Sequence, residues 1–234
     1  MAGMERKVPF EEECQYHLFT RGVEKRIVFT SEADYRRFML LLLLCNSEKS
    51  VRIADLITSS QGEPLRKALE ITKNRVPLVH ILAYSLMPNH IHLLVHEMRK
   101  GGISKFMLKL MTAYSMYFNT KYTRSGPLFT RPFRSRHVGS DEYFRWVFAY
   151  VLLNPLELHQ YDWKETGIRN RGAAARYMQT YPYSSFQDYF VGTRPESPII
   201  EKNMLPIELN DVQTMDDLLI SLAENEVFAE LPLE

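Results

Sequence analysis

The architecture of this chain depends on one run, Met87-Pro88-Asn89-His90-Ile91-His92-Leu93-Leu94-Val95. A second apolar run, 78–87, leads into it, and the Pro-Asn pair between the two runs is a turn signal. The pattern predicts two neighbouring antiparallel strands. Side chains alternate between the faces of a strand, so His90 and His92 point the same way while Ile91 points into the core. Two imidazoles about 7 Å apart on one face can converge on a metal ion.

The rest of the chain alternates between strand-like and helix-like segments. Alternating residues predict strands at 14–20 and 133–138 and a short extended piece at 27–29. Helical spacing and capping residues predict helices at about 32–45, 64–72, 103–122, 141–153 and 211–225. Loop or irregular structure is predicted at 46–63 and 161–177, and an ordered aromatic loop at 181–186. Because no Gly-rich phosphate turn accompanies the strands, we expect an α+β fold, an antiparallel sheet with packed helices.

The composition is that of an ordinary globular protein with one core. The 234 residues are 45% hydrophobic and 24% charged, and the two cysteines, Cys14 and Cys45, suggest neither a disulfide framework nor a zinc site. The longest apolar run, 38–45, is much shorter than the roughly 20 residues that span a bilayer. The first residues lack the apolar region of a signal peptide. We therefore expect a cytoplasmic protein with no membrane partner.

The net charge of +1 conceals a strong asymmetry along the chain. Between Glu97 and Asp141 no acidic residue occurs, and the basic residues there are Arg99, Lys100, Lys105, Lys109, Lys121, Arg124, Arg131, Arg134 and Arg136. From Glu201 to Glu234 the pattern reverses, and Lys202 is the only basic residue. Charge segregated in this way indicates a local surface that binds a polyanion. The alternative is a solvated helix face followed by a basic loop.

The predicted helix 141–153 supplies a second group of polar side chains. Tyr150 and Asn154 are four residues apart and therefore lie on one helix face. If that face meets His90 and His92, Asn154 is a candidate third metal ligand. Imidazoles with an oxygen donor and open positions suit Mg²⁺ or Mn²⁺ better than structural zinc. Purely structural roles are the alternatives. The histidines would then lie on a polar strand face without a metal, the tyrosine would be a core residue, and the asparagine would end the helix before proline.

Several short motifs, taken in their order, resemble those of one known family. They are Met-Pro-Asn-His-Ile-His at 87–92, Tyr-x-x-x-Asn-Pro at 150–155 and Tyr-Pro-Tyr-Ser-Ser-Phe at 181–186. Further likeness lies in Tyr16-His17, Arg21-Gly22, the segment 114–119, the turn at 126–129 and the basic run at 131–135. Over about residues 14–190 the chain resembles the HUH single-strand DNA transposases, in particular the REP-associated tyrosine transposases.

The resemblance implies a ferredoxin-like fold of the HUH-endonuclease type with one catalytic tyrosine. Carried over to this sequence, the nucleophile is Tyr150, and the ligands of a Mg²⁺ or Mn²⁺ ion are His90, His92 and Asn154. The implied reaction is cleavage and rejoining of single-stranded DNA, often near hairpins or repeated palindromes, through a 5′-phosphotyrosine. An inactive or domesticated member that only binds DNA or RNA is the alternative. A metal-dependent hydrolase of small phosphoesters is a further one.

The basic stretch would then contact the DNA through Lys105, Lys109, Arg124, Arg131, Arg134 and Arg136. We expect a nuclease domain over 1–192, with its core at 14–190. An acidic extension, 193–234, follows it and has no counterpart that can be placed in the family. Two questions stay open: whether the protein is a monomer or a homodimer, and whether Tyr150 works with the histidines of its own chain.

Overall fold

The computed structural model describes residues 9–51, 53–60, 62–206, 209 and 212–224. The strands are β1 (Gln15–Arg21), β2 (Val79–Met87), β3 (His90–Glu97) and β4 (Arg134–Val138). The helices are α1 (Glu32–Leu44), α2 (Ile53–Ser59), α3 (Pro64–Thr72), α4 (Gly102–Lys121), α5 (Asp141–Leu153), α6 (Leu156–His159), α7 (Trp163–Thr166), α8 (Arg171–Thr180), α9 (Phe186–Phe190) and α10 (Met215–Glu224). Among these described helices, none combines the length and the apolar character needed to cross a membrane.

The strands form one antiparallel sheet in the order β2-β3-β1-β4. With α1 between β1 and β2 and α4 between β3 and β4, this is the β-α-β-β-α-β arrangement of a ferredoxin-like fold. The predicted α+β class and the hairpin around Pro88 and Asn89 are confirmed. In the register between β1 and β3, Phe19 lies opposite His92, and Arg21 lies opposite His90.

Helices cover both faces of the sheet. On one face α1 and α4 pack against strand residues that include Leu18 and Ile91. On the other face α5 packs against strand residues that include Leu94. Because side chains alternate along a strand, Ile91 enters the first core while His90 and His92 face α5, as the sequence predicts.

Helix α5 brings the second group of polar residues to the sheet. Ser140 caps its N-terminus, because the Ser140 Oγ accepts a hydrogen bond of 3.2 Å from the Tyr143 amide. The helix ends at Leu153, and after Pro155 the chain continues into α6. Its side chains are apolar on several faces, because the sheet lies on one side and Leu218 of α10 packs in the same core on another. The predicted bounds of this helix are confirmed.

The aromatic run 181–186 covers one edge of the sheet, strand β2. The Leu86 amide donates to the Tyr183 carbonyl at 2.9 Å, and the Ser185 amide donates to the Tyr84 carbonyl at 3.0 Å. An uncovered edge strand would offer these groups to other chains. The run therefore forms the ordered, aromatic-anchored loop that the sequence predicts.

The described part of the C-terminal extension packs against the same two cores. Arg194 forms an ion pair at 2.7 Å with the buried carboxylate of Asp188. Ile199 belongs to the core beside α1, and Leu218 belongs to the core beside α5. The helix predicted at 211–225 is observed as α10, and the two predicted end residues lie outside the described part. Residues after the predicted boundary at 192 therefore pack in the same two cores as the residues before it.

Some local predictions are wrong. The segment 161–177 is not irregular, because it contains α7 and most of α8. Asn170 caps the N-terminus of α8, because its Oδ1 accepts from the Ala173 amide at 2.9 Å. The helix buries too few apolar side chains to show a stripe in the sequence. The predicted loop 46–63 contains α2. The extended piece predicted at 27–29 joins no strand ladder, and the Val28 and Phe29 amides donate to the Pro88 carbonyl of the hairpin turn.

Candidate active site

The two histidines of β3 lie at the end of the sheet where β1 ends and β4 begins. The ring centroids of His90 and His92 are 5.0 Å apart. The two residues are 5% and 1% exposed, respectively. Buried polar groups need partners, so the atoms that face each ring nitrogen decide what the pair can bind.

Both ring nitrogens of His90 face an oxygen atom. Nδ1 lies 2.6 Å from Asn89 Oδ1, and Nε2 lies 3.2 Å from Asn154 Oδ1. When Nδ1 carries the proton that Asn89 accepts, Nε2 is an acceptor that faces a second acceptor, the Asn154 carbonyl. A cation bound by both atoms would replace this repulsion with ligation. Asn154 is fully buried, and its Nδ2 has no hydrogen-bond partner among the described residues.

His92 pairs with a second buried histidine, His17 of β1. His92 Nδ1 lies 3.0 Å from His17 Nε2. Within the described part of the chain, His92 Nε2 is buried with no hydrogen-bond partner, a costly arrangement that a bound ligand would relieve. Burial lowers the pKa of both rings, that of His17 to about 3 and that of His92 well below its ordinary value. Both imidazoles are therefore neutral near pH 7, which is the form that ligates metals.

The fold places Asn154 against His90 and directs both histidines toward α5. Across the residues that the structure describes, no three His, Cys, Asp or Glu side chains form a metal-binding group. The amide oxygen of Asn154 is therefore needed for a set of three ligands. Two imidazoles and an amide oxygen, without a thiolate, suit Mg²⁺ or Mn²⁺ better than a closed zinc site. These residues fit the ion that the resemblance implies.

Tyr150 lies on α5, one turn before the asparagine, and contacts the histidines of its own chain. Its ring centroid is 5.4 Å from that of His92, edge to face at 83°, and 6.0 Å from that of His17. Trp146 stacks on the tyrosine ring at 5.2 Å, and Lys164 Nζ lies 4.9 Å from the ring centroid. Tyr150 is 7% exposed. The tyrosine and the histidines of one chain thus form a single cluster.

A cavity of about 500 Å³ opens beside this cluster at the end of the sheet. His90 and His92 form part of its wall, and Glu24 is the one acidic residue among the described residues that line it. The basic residues that line it are Arg21, Lys25, Arg131 and Arg134. Four cationic side chains around a cavity beside two histidines attract a phosphate group. Tyr150 is not among the lining residues and meets His92 from the side of α5.

Three of the six predicted DNA contacts lie near the histidines. Arg131 and Arg134 line the cavity. Arg136 lies two residues further along β4, opposite His17 in the strand register. Arg134 and Arg136 come to the histidine face because β4 pairs with β1, and Arg131 lies in the loop that leads into β4.

The other three predicted contacts lie elsewhere. Arg124 donates hydrogen bonds to two oxygen atoms near its own turn after α4. Lys105 forms an ion pair with Glu48, and Lys109 donates to a backbone carbonyl of the loop after α1. Because α4 covers the opposite face of the sheet, the structure does not bring its two lysines to the cavity.

Sequence reasoning missed three polar side chains of this cluster. His17 and Arg21 are four residues apart on β1, so the period of two places both on the histidine face, and strand alternation could have found them. No sequence pattern indicates that Lys164 lies near the site. Its approach to Tyr150 depends on how the short helices α6 and α7 fold back on α5.

Comparison with known proteins places this cluster within a family. The family described as "Transposase IS200 like" matches residues 11–153, well over half of the 234 residues. No curated protein matches the chain. A solved structure described as a REP-associated tyrosine transposase bound to a REP hairpin is similar over 80% of this chain and 85% of its own, with 10% identity and a TM-score of 0.43. The family match spans both the histidine strand and the tyrosine helix, and the chain therefore belongs to the IS200-like transposases.

Proposed function

We propose that this protein is a metal-dependent transposase of the REP-associated tyrosine subgroup, which cleaves single-stranded DNA and rejoins it through a covalent bond to Tyr150. The observation that carries the proposal is the contact between Tyr150 and His92 within one chain, 5.4 Å between ring centroids. The His90–Asn154 pair lies beside that contact. A nucleophile and candidate metal ligands from two separate elements thus meet in one cluster.

The atoms that we assign to the metal ion are His90 Nε2, His92 Nε2 and Asn154 Oδ1. A bound Mg²⁺ or Mn²⁺ would polarise the scissile phosphate and stabilise the charge that develops on its oxygens. Nδ1 of each histidine lies against a neighbouring side chain, Asn89 for His90 and His17 for His92, which leaves Nε2 for the ion. Such outer contacts orient ligating imidazoles in metalloproteins.

Tyr150 performs the bond exchange. Its phenolic oxygen gives up a proton and forms a bond to the phosphorus atom, while the bond from phosphorus to the 3′ oxygen breaks. The departing oxygen takes up a proton and becomes a 3′-hydroxyl, and the 5′ phosphate stays on Tyr150. Because the phosphotyrosine link preserves the phosphodiester energy, another 3′-hydroxyl can reverse the step and join two strands.

The basic residues that line the cavity would hold the phosphates on either side of the cleaved bond. Arg131 and Arg134 come from the loop before β4 and from its start, and Arg21 comes from the end of β1. Guanidinium groups suit phosphate oxygens because they donate parallel hydrogen bonds. The hairpin part of the proposal rests on the likeness of the motifs at 87–92, 150–155 and 181–186 to those of the REP-associated subgroup.

The test is a covalent-adduct assay with Mn²⁺ or Mg²⁺ and labelled single-stranded oligonucleotides that contain hairpins. We expect a DNA–protein adduct that survives denaturing electrophoresis and is lost in Tyr150→Phe. The matched control is Tyr143→Phe, which removes a hydroxyl from another buried tyrosine of the same helix and should retain the adduct. An adduct of undiminished yield in Tyr150→Phe would overturn the assignment.

A second candidate function, binding of nucleic acid without cleavage, is favoured by the burial of Tyr150. The side chain is 7% exposed, Trp146 stacks on it, and it does not line the cavity. In that case hairpin DNA binds with an affinity that depends on the cavity arginines. No adduct then forms with any hairpin substrate or metal ion.

A further inference from the structure

His17 is a buried polar residue that the proposed reaction does not use directly. It is fully buried in the middle of β1, on the face that meets α5. Its ring lies nearly parallel to that of His92, with 5.2 Å between centroids and 20° between planes. The contact between His17 Nε2 and His92 Nδ1, at 3.0 Å, joins two strands through side chains rather than through the backbone. Such a costly buried position suggests a role toward its partner.

The hydrogen bond between the two rings needs one proton, and that proton can belong to either ring. If His17 Nε2 carries it, His92 Nδ1 is the acceptor. A neutral His92 must then carry its own proton on Nε2, which would close Nε2 to a metal. If His92 Nδ1 carries the proton, Nε2 keeps a free lone pair. Either arrangement leaves one buried N–H without a hydrogen-bond partner among the described residues, on His92 Nε2 in the first and on His17 Nδ1 in the second. Only the second leaves His92, which lines the cavity while His17 does not, able to ligate a metal ion through Nε2.

We propose that His17 is a positioning residue that accepts a hydrogen bond from His92 Nδ1 and so keeps the Nε2 lone pair of His92 ready for a metal ion. This inference rests on the proposed function, because the metal ion is what requires this tautomer of His92. His17 then carries its own proton on Nδ1. The contact also restricts rotation of the His92 ring, because the donor and the acceptor come from adjacent, paired strands.

The first measurement is the tautomer of His92 in the metal-free wild-type protein, read from long-range ¹H–¹⁵N correlations of the imidazole ring. We expect the proton on Nδ1. A proton on Nε2 would overturn the inference. Because the measurement uses the wild-type protein, it does not depend on whether a variant folds.

The second measurement is Mn²⁺ affinity without DNA, by calorimetry or electron paramagnetic resonance. In His17→Phe, which has no acceptor, we expect affinity to fall by about 10- to 100-fold and Nε2-protonated His92 to become populated. His17→Gln, whose Oε1 can accept in place of Nε2, should stay closer to the wild type. His80→Phe, a change to another strand histidine that is not part of the cluster, should have no effect. Unchanged affinity in His17→Phe with a native circular dichroism spectrum would contradict the proposal.

The experiments distinguish failure of the proposed function from failure of the role proposed for His17. If Tyr150 forms no adduct and the wild type binds no Mn²⁺, the metal assignment falls, while the His92 tautomer and its dependence on His17 can still be measured. If adducts form normally but His17→Phe leaves both tautomer and affinity unchanged, the role of His17 alone is overturned.

Discussion

Asn154 Oδ1 lies 3.2 Å from His90 Nε2, although the two residues are 64 positions apart in the chain. This contact joins the C-terminal end of the tyrosine helix to the first residue of β3. It makes Asn154 more than a helix-ending residue before proline. Asn154, the candidate ligand, also lies one helical turn after Tyr150, the candidate nucleophile, because residues four apart on a helix share a face.

Replacement of Asn154 tests this contact. We expect Asn154→Ala to lower Mn²⁺ affinity by about 10- to 100-fold, because an oxygen ligand worth roughly 1.5–3 kcal/mol is lost. Asn154→Asp retains an oxygen at the same place and should bind Mn²⁺ more tightly than Asn154→Ala does, with adduct formation retained. Calorimetry with Mn²⁺ and the adduct assay measure the two effects. Equal affinity in Asn154→Ala and the wild type would exclude Asn154 as a ligand.

The cavity arginines should control the salt dependence of DNA binding. We expect the double variant Arg131→Ala/Arg134→Ala to reduce the slope of log affinity against log salt by about 1.4, because each phosphate contact on a single strand contributes about 0.7. The measurement is fluorescence anisotropy with a single-stranded oligonucleotide between about 50 and 200 mM salt, a range over which binding through phosphate contacts weakens steeply.

The matched control for the arginines is Lys105→Ala, which removes a cation from the opposite face of the sheet. Lys105 is paired with Glu48, so its loss should leave the slope unchanged. A smaller slope in Lys105→Ala than in the arginine variant would place the DNA on α4 instead.

A single chain should contain a complete site. Tyr150 contacts His92 of its own chain, so mixing Tyr150→Phe with His92→Ala should yield no more adduct than the two variants alone. The adduct assay on the mixed proteins measures this, with a wild-type protein diluted to the same concentration as the reference. Recovery of adduct in the mixture would mean that the tyrosine is supplied by a partner chain.

Asp34 should control stability at acid pH. Its carboxylate is buried and accepts hydrogen bonds from Lys121 Nζ at 2.6 Å, from Tyr122 Oη at 2.7 Å and from the Thr30 amide at 2.9 Å. Burial alone would raise its pKa, but these donors outweigh burial and lower it below 3.8. A carboxyl whose pKa is lowered by folding contributes stability that is present above its ordinary pKa and is lost as the pH falls below that value.

We therefore expect Asp34→Asn to lower the free energy of unfolding at pH 7 by about 3 kcal/mol, because Lys121 and the other donors lose a charged acceptor. The difference from the wild type should shrink as the pH falls below about 4, where the unfolded carboxyl is protonated. Urea unfolding at several pH values measures it. Glu165→Gln, a change to an exposed acidic residue, serves as the control and should stay within about 0.5 kcal/mol.

Local sequence patterns predicted the elements that carry the site. Apolar runs around a Pro-Asn turn gave the β2–β3 hairpin and the common face of His90 and His92. Ser140 and the apolar spacing after it gave α5 with its observed bounds. These features are local, because strand alternation, capping and helical periodicity each depend on residues a few positions apart. Helix α8 escaped prediction because its stability comes from packing rather than from a wide apolar stripe.

The sequence by itself determined which residue types could form a metal and nucleophile site, and on which face of its own element each would lie. Only the tertiary structure decided that Asn154 meets His90, that His17 meets His92, and that the lysines of α4 lie on the other face of the sheet. These relationships join elements far apart in the chain. They follow from the strand order and from which side of the sheet each helix covers, and long-range packing sets both.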